Sequence, residues 1–100
     1  MRKGVTPIST DAPIARRVVV HGRVQGVFFR DTCRREAMRL GVAGYVRNEP
    51  DGTVLAEFEG TDSAVESMVA WARVGPPRAV VDRVDVEEVP PNGWSGFRVS

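Results

Sequence analysis

Apolar and polar residues alternate along this 100-residue chain in a pattern that predicts four main strands, with a short edge strand at the end. The strands are expected over residues 15–21, 42–48, 53–60, 80–89 and 97–99. In the third strand, Val54, Ala56 and Phe58 alternate with more polar residues, which predicts one apolar face and one mostly polar, exposed face. The expected exposed residues are Leu55, Glu57 and Glu59.

Two other segments carry apolar residues at helical spacing. The first predicts a helix over about 27–40, because Gly41 follows it where a glycine cap belongs. The second helix is capped by Thr61, Asp62 or Ser63, and Ser63 with Glu66 fits a capping box. The buried stripes are expected to be Phe29, Cys33, Ala37 and Leu40 in the first helix and Val65, Met68, Val69 and Ala72 in the second.

The order strand, helix, strand, strand, helix, strand predicts an α+β fold of the ferredoxin-like βαββαβ type. Such a sandwich has an antiparallel sheet of four to five strands with both helices on one face. Residues 1–14 contain glycine and proline without periodicity, which predicts a flexible N-terminal tail. Residues 15–100 are expected to form the single domain.

The composition, 42% hydrophobic and 27% charged, is typical of a soluble globular protein. The net charge is +1, and acidic and basic residues are interspersed along the chain. This pattern predicts no broad positively charged surface that would bind nucleic acid. Cys33 is the only cysteine, which excludes an intramolecular disulfide and a cysteine-built metal site. Without an apolar run long enough to cross a membrane or a signal-peptide core, the expected location is the cytoplasm.

The most informative segment is residues 22–30, Gly-Arg-Val-Gln-Gly-Val-Phe-Phe-Arg. A glycine-bounded loop between a strand and a helix start leaves backbone N–H groups unpaired, and the helix dipole adds to their attraction for anions. Arg30, in the first turn of the helix, can add bidentate donors. The sequence therefore predicts a phosphoryl-binding site. The candidate substrate-binding residues are Gly22, Arg23, Val24, Gln25, Gly26 and Val27.

Segment 22–30 and the later segment 44–48, Gly-Tyr-Val-Arg-Asn, resemble the paired signatures of the acylphosphatases, and the resemblance extends from about residue 15 to 99. It implies a small hydrolase without metal or other cofactor that cleaves the carboxylic–phosphoric anhydride bond of small acyl phosphates. It also implies that Arg30 is the phosphate-clamping catalytic arginine, that Asn48 orients the attacking water, and that the amides of 22–27 form the phosphate cradle. We expect a monomer with no nucleic-acid or membrane partner.

The implied chemistry agrees with the residue types present. The conjugate acid of a carboxylate leaving group has a pKa of about 4, so no general acid is needed. Phosphoryl transfer depends chiefly on positioning and on stabilising charge, which backbone donors and one arginine can supply. An amide such as Asn48 can hold a water by accepting one of its protons. Which group finally accepts the proton stays open, the substrate phosphate being the hypothesis.

Each candidate residue also has a structural interpretation. Arg30 and Arg23 can be solvated surface charges, Asn48 can be a turn former before Pro50, and His21 can be structural. A nucleotide-binding P-loop is disfavoured because no Gly-Lys-Ser/Thr follows the glycines. An RNA-binding module is disfavoured because its aromatics would lie on the open sheet face. A non-catalytic, regulatory acylphosphatase-like domain that binds phosphate or carbamoyl phosphate remains the alternative.

Overall fold

A computed structural model describes residues 12–100, which form five strands and two helices. In chain order these are β1 (Ile14–Arg23), α1 (Phe29–Leu40), β2 (Ala43–Asn48), β3 (Val54–Gly60), α2 (Asp62–Ala72), β4 (Val80–Val89) and β5 (Phe97–Val99). The tail predicted over 1–14 lies outside the described residues except for its last three, of which Ile14 begins β1. Neither helix in this part of the chain is long and apolar enough to cross a membrane.

The five strands form one sheet in the order β4-β1-β3-β2-β5. Each pairing among the first four strands of this order is antiparallel, which confirms the predicted ferredoxin-like α+β fold. The sheet is mixed rather than wholly antiparallel, because β5 runs parallel to β2 with Phe97 opposite Gly44. After β4, at one edge of the sheet, the chain crosses to the opposite edge and forms β5 beside β2. There it runs in the same direction as β2.

The core lies between the sheet and the two helices. The predicted stripe of α1 is buried at Phe29, Cys33 and Ala37, and that of α2 is buried at all four expected positions, Val65, Met68, Val69 and Ala72. Phe29 also packs its ring against Trp71, with centroids 5.0 Å apart. Burial raises the pKa of the Cys33 thiol well above its ordinary value, so this cysteine is a neutral core residue.

The helix ends differ slightly from the predicted ones. Helix α1 begins at Phe29 rather than near residue 27, because Phe28 adopts a left-handed conformation with φ of 65° and stands at its N-cap. Gly41 closes the helix as predicted, at φ of 73°. Thr61 caps α2, since its hydroxyl accepts the N–H of Ala64 at 3.3 Å; this resolves the three alternatives in favour of Thr61.

The polar face of β3 is covered, which corrects the expectation that Glu57 and Glu59 are exposed. Only 5% of Glu57 and 6% of Glu59 is accessible. The Glu59 carboxylate accepts the backbone N–H groups of Asn92 and Gly93 at 2.7 and 2.8 Å. The segment between β4 and β5 is thereby held across the sheet.

The other carboxylate, Glu57, accepts Nε of Arg17 at 3.2 Å and the hydroxyl of Tyr45 at 3.0 Å. Burial, followed by this bond to Glu57, raises the pKa of Tyr45. These partners satisfy a carboxylate that would otherwise be costly to bury. The alternation along β3 was therefore predicted, but the cover over its polar face was not.

Candidate active site

A cavity of about 350 Å³ opens where the β1–α1 loop, the start of α1, the end of β2 and β5 meet. Its lining residues are Val24, Gly26, Phe28, Phe29, Arg30, Asp31, Asn48 and Val99. The structure thus brings together Arg30 and Asn48, the two residues predicted to be catalytic, although they are separated by eighteen positions in the chain.

The loop of the site is shorter than the sequence suggested, because β1 continues through Gly22 and Arg23. These two residues pair with Val81 and Val80 of β4 after an irregularity in the register. Gly22 has a φ of 129°, and a Cβ there would lie 2.1 Å from the carbonyl oxygen of Val80. A glycine is therefore required at position 22 for strand packing. Neither Gly22 nor Arg23 lines the cavity.

The remaining loop presents a row of unused backbone donors. Within residues 12–100, the N–H groups of residues 25–28 make no hydrogen bond. They directly precede α1, where the helix dipole adds partial positive charge. Gly26 and Phe28 both have positive φ, at 74° and 65°. Unpaired donors beside a helix start form an anion-binding site.

Three loop side chains predicted as substrate-binding are engaged within the protein, although Val24 also borders the cavity. Val24 and Val27 are buried at 1% and 7% exposure and anchor the loop in the core. The Gln25 amide donates to the carbonyl oxygens of Glu49 and Thr53 at 2.8 and 2.9 Å. These residues therefore hold the loop in place, and the groups that the loop leaves unpaired are its backbone N–H groups.

Arg30 is the second residue of α1, so its side chain starts beside the row of free amides. Its Nη1 donates to the carbonyl oxygen of Ser100 at 2.8 Å. Ser100 is itself held by its N–H, which donates to the carbonyl of Val46 at 3.0 Å. This contact orients the guanidinium and leaves other N–H groups of the same fork available to a ligand.

Asn48 is the last residue of β2, where its backbone pairs with Val54. Its Oδ1 is buried and has no hydrogen-bond partner within the described part of the chain. A buried acceptor without a donor costs free energy, so such an atom calls for a water or a ligand. Asn48 also lines the cavity, so its side chain lies beside the loop whose amides are unpaired.

The turn that follows Asn48 is shaped by Asp51. Its Oδ1 accepts the backbone N–H of Thr53 at 3.0 Å and the hydroxyl of Thr53 at 2.6 Å. These two bonds lower the pKa of Asp51 below its ordinary value. The turn thereby presents the carbonyls of Glu49 and Thr53 side by side to the Gln25 amide, a contact that no local sequence signal indicated.

The sole histidine, His21, contacts Asp85 of β4 at 2.9 Å on the exposed side of the sheet and does not line the cavity. Together with Arg83 it lowers the pKa of Asp85, Arg83 having the larger effect. No cluster of three or more His, Cys, Asp or Glu side chains suited to a metal ion occurs among residues 12–100.

Comparisons with known proteins agree with the resemblance found in the sequence. The family model described as Acylphosphatase matches residues 16–99. A protein of Thiobacillus denitrificans named Acylphosphatase is 59% identical over 78 residues, 78% of this chain and 86% of that protein. The structure of an acylphosphatase from Coxiella burnetii superposes with a TM-score of 0.85 at 36% identity, covering 88% of this chain and 93% of that one. A full-length HypF in the phosphate- and nucleotide-bound form gives 0.80 at 26% identity, covering 90% of this chain and 12% of that chain.

Proposed function

This chain belongs to the acylphosphatase family, and from that premise we propose how its residues carry out the reaction. The chain is an acylphosphatase, a hydrolase that converts an acyl phosphate and water into a carboxylate and inorganic phosphate. We assign phosphoryl binding to the backbone of residues 25–28 and to Arg30, and positioning of the attacking water to Asn48. In this proposal the cradle predicted over 22–27 begins after Arg23, because β1 continues through that residue, and it includes Phe28.

The phosphoryl group binds where the free N–H groups and the Arg30 guanidinium converge. The amides of 25–28 donate to the equatorial oxygens, and the start of α1 adds its partial positive charge. In phosphoryl transfer, charge is spread over these oxygens, so donors that are already fixed in place stabilise the transition state without reorganising. Val24, Gln25 and Val27 supply that rigidity by anchoring the loop.

The attacking water donates a hydrogen bond to Oδ1 of Asn48, a buried acceptor that lacks a partner among the described residues. This bond orients a lone pair of the water toward phosphorus, in line with the bond that breaks. The neutral amide is too weak a base to remove the proton, so we assign the final proton transfer to an oxygen of the substrate phosphate. The P–O bond to the acyl group breaks, and the electron pair leaves with the carboxylate.

The observation that supports this assignment best is that Asn48, Arg30 and the loop with free amides line one cavity, while Oδ1 of Asn48 has no partner within residues 12–100. Hydrolysis of benzoyl phosphate in excess chelator tests it. We expect turnover and competitive inhibition by inorganic phosphate. Absence of turnover, or inhibition that is not competitive with substrate, would refute the assigned roles.

The finer points of this function are also proposals. We propose that the chain acts as a monomer in the cytoplasm on small-molecule acyl phosphates and without a metal ion or other cofactor. A sedimentation measurement at micromolar concentration tests the monomer, since a dimer would double the mass of 11.0 kDa. Metal independence is tested by the chelator in the assay above.

The alternative is a non-catalytic domain that binds phosphate or carbamoyl phosphate. The likeness to one part of the much longer HypF chain supports it, because that match covers only 12% of HypF. The presence of both Arg30 and Asn48 in one cavity supports catalysis instead. Phosphate binding without hydrolysis of any acyl phosphate would favour the alternative.

A further inference from the structure

We propose that a groove beside the phosphate cavity binds the acyl group of the substrate and favours acyl groups that are apolar next to the carbonyl and anionic at the far end. The groove has a volume of about 380 Å³. The lining residues that matter are Val27, Phe28, Pro76, Pro77, Arg35 and Arg78. This inference deepens the proposed function and rests on it.

Phe28 connects the groove to the phosphate cavity, because it lines both. Its side chain is 65% exposed although it is a large aromatic residue. Its φ of 65° is also a conformation that bulky residues rarely adopt. The backbone thus holds an aromatic ring in solvent directly at the phosphate loop, where a ring has no role in the core but can contact a bound molecule.

The direction of the reaction selects the groove as the place for the acyl group. In-line displacement requires the leaving group to depart from the side of phosphorus opposite the attacking water. Asn48, which holds that water in our assignment, lines the phosphate cavity but not the groove. Of the two spaces that meet at Phe28, the groove is therefore the one left for the acyl group.

The groove combines an apolar wall with cationic side chains. The exposed Phe28 and Pro77 offer the carbon surface against which a planar acyl group can pack, and the buried Val27 and Pro76 lie beneath it. Arg35 is already paired with Asp31, so its charge is largely compensated. Arg78 is exposed and makes no hydrogen bond or ion pair with any residue in the range 12–100. A second anionic group on the substrate would complement Arg78.

Three substrates separate these contributions: acetyl phosphate, benzoyl phosphate and 4-carboxybenzoyl phosphate. For the unmodified chain we expect kcat/KM to rise in that order. In Phe28→Ala, the ratio of kcat/KM for benzoyl over acetyl phosphate should fall by roughly 3- to 10-fold, the range of a lost aromatic contact. A general disturbance of the loop would lower both values and leave this ratio unchanged, which would refute the role of Phe28.

The charge contribution is tested with Arg78→Gln. The ratio of kcat/KM for 4-carboxybenzoyl over benzoyl phosphate should fall by about 2- to 5-fold, as expected for an exposed ion pair, and the loss should shrink in high salt. Arg73→Gln is the matched control, because Arg73 is exposed nearby at the end of α2 but does not line the groove. Equal ratios in both variants would overturn the proposal.

Binding of acylphosphonates, which cannot be hydrolysed at the phosphorus–carbon bond, distinguishes failure of this inference from failure of the proposed function. By calorimetry, benzoylphosphonate should bind more tightly than acetylphosphonate, and Phe28→Ala should reduce that preference. This result would support the groove even if turnover were absent. Equal affinities for the two phosphonates in a chain that hydrolyses acyl phosphates would overturn the groove and leave the proposed function intact.

Discussion

The side-chain amide of Gln25 donates to the backbone carbonyl of Thr53 at 2.9 Å, which ties the phosphate loop to the first residue after the β2–β3 turn. The second N–H of the same amide reaches the carbonyl of Glu49 at 2.8 Å. Glu49 and Thr53 are themselves joined across the turn by a backbone hydrogen bond of 2.9 Å. One side chain therefore links the loop to the residue that directly follows Asn48.

Replacing Gln25 with alanine should loosen this link. The loop loses two part-buried hydrogen bonds, while each carbonyl keeps one backbone donor, so we expect a fall of about 1–3 kcal/mol in the free energy of unfolding. The rate should fall as well, but less than in Arg30→Ala, because the free backbone amides remain. Urea unfolding and benzoyl phosphate kinetics measure the two effects. Gln25→Glu, of equal size but without the donors, should be at least as unstable; a Gln25→Ala variant of unchanged stability would contradict the link.

Most of the fold followed from the sequence because its determinants are local. Strand β4 over 80–89 and the short β5 over 97–99 have the predicted bounds, and the stripe of α2 is buried as predicted. Alternation and helical spacing are properties of neighbouring residues, so they are visible in the sequence. The parallel direction of β5 was missed because it depends on how the chain crosses the sheet.

The candidate site was predicted less completely, because it depends on contacts between residues that are far apart in the chain. The motif placed Arg30 beside a glycine loop and paired it with Asn48, and both line one cavity. The partners that fix the site lie far away in the chain: Ser100 is 70 residues from Arg30. The continuation of β1 through Arg23 depends on pairing with Val80. No local pattern reports such contacts.

Arg30→Ala should impair substrate binding and turnover together, because the guanidinium attracts the phosphoryl oxygens in both the ground state and the transition state. The expected loss is roughly 10²–10⁵ in kcat/KM. Steady-state kinetics with benzoyl phosphate measure it. Arg34→Ala is the matched control, since Arg34 is exposed on the same helix and does not line the cavity. Similar losses in both variants would show that helix charge, rather than the position of Arg30, matters.

Asn48→Ala should abolish turnover while the inhibition constant of inorganic phosphate stays nearly unchanged. The variant removes the acceptor for the attacking water, whereas the donors for phosphate remain. Stability should fall little, because Oδ1 has no partner within the described residues. Asn48→Asp provides a contrast: its negative charge should weaken phosphate binding. Wild-type turnover in Asn48→Ala would refute the role of water positioning.

The ionised carboxylate of Asp51 should add to the free energy of unfolding at neutral pH but not at acidic pH. Its pKa is lowered in the folded state by the hydroxyl and backbone N–H of Thr53, so its contribution is fully present above the ordinary pKa near 3.9. It is lost as the pH falls through the lower folded value. Asp51→Asn should therefore be less stable than the unmodified chain at pH 7, and the difference should shrink below about pH 4. A difference that is constant with pH, measured by urea unfolding, would contradict this linkage.

The final prediction concerns the substrate class and follows from the residues that line the cavity. A carboxylate leaves unaided, but an alkyl phosphate must expel an alkoxide, which needs a positioned proton donor or a metal ion. The one carboxylate in the lining, Asp31, lies in the first turn of α1, where its charge suits the helix dipole, and it is paired with Arg35. We therefore expect hydrolysis of benzoyl and acetyl phosphate in excess chelator and none of an alkyl monoester under the same conditions. Metal-dependent hydrolysis of the monoester at a comparable rate would contradict this prediction. It would show that the site can assist departure of an alkoxide.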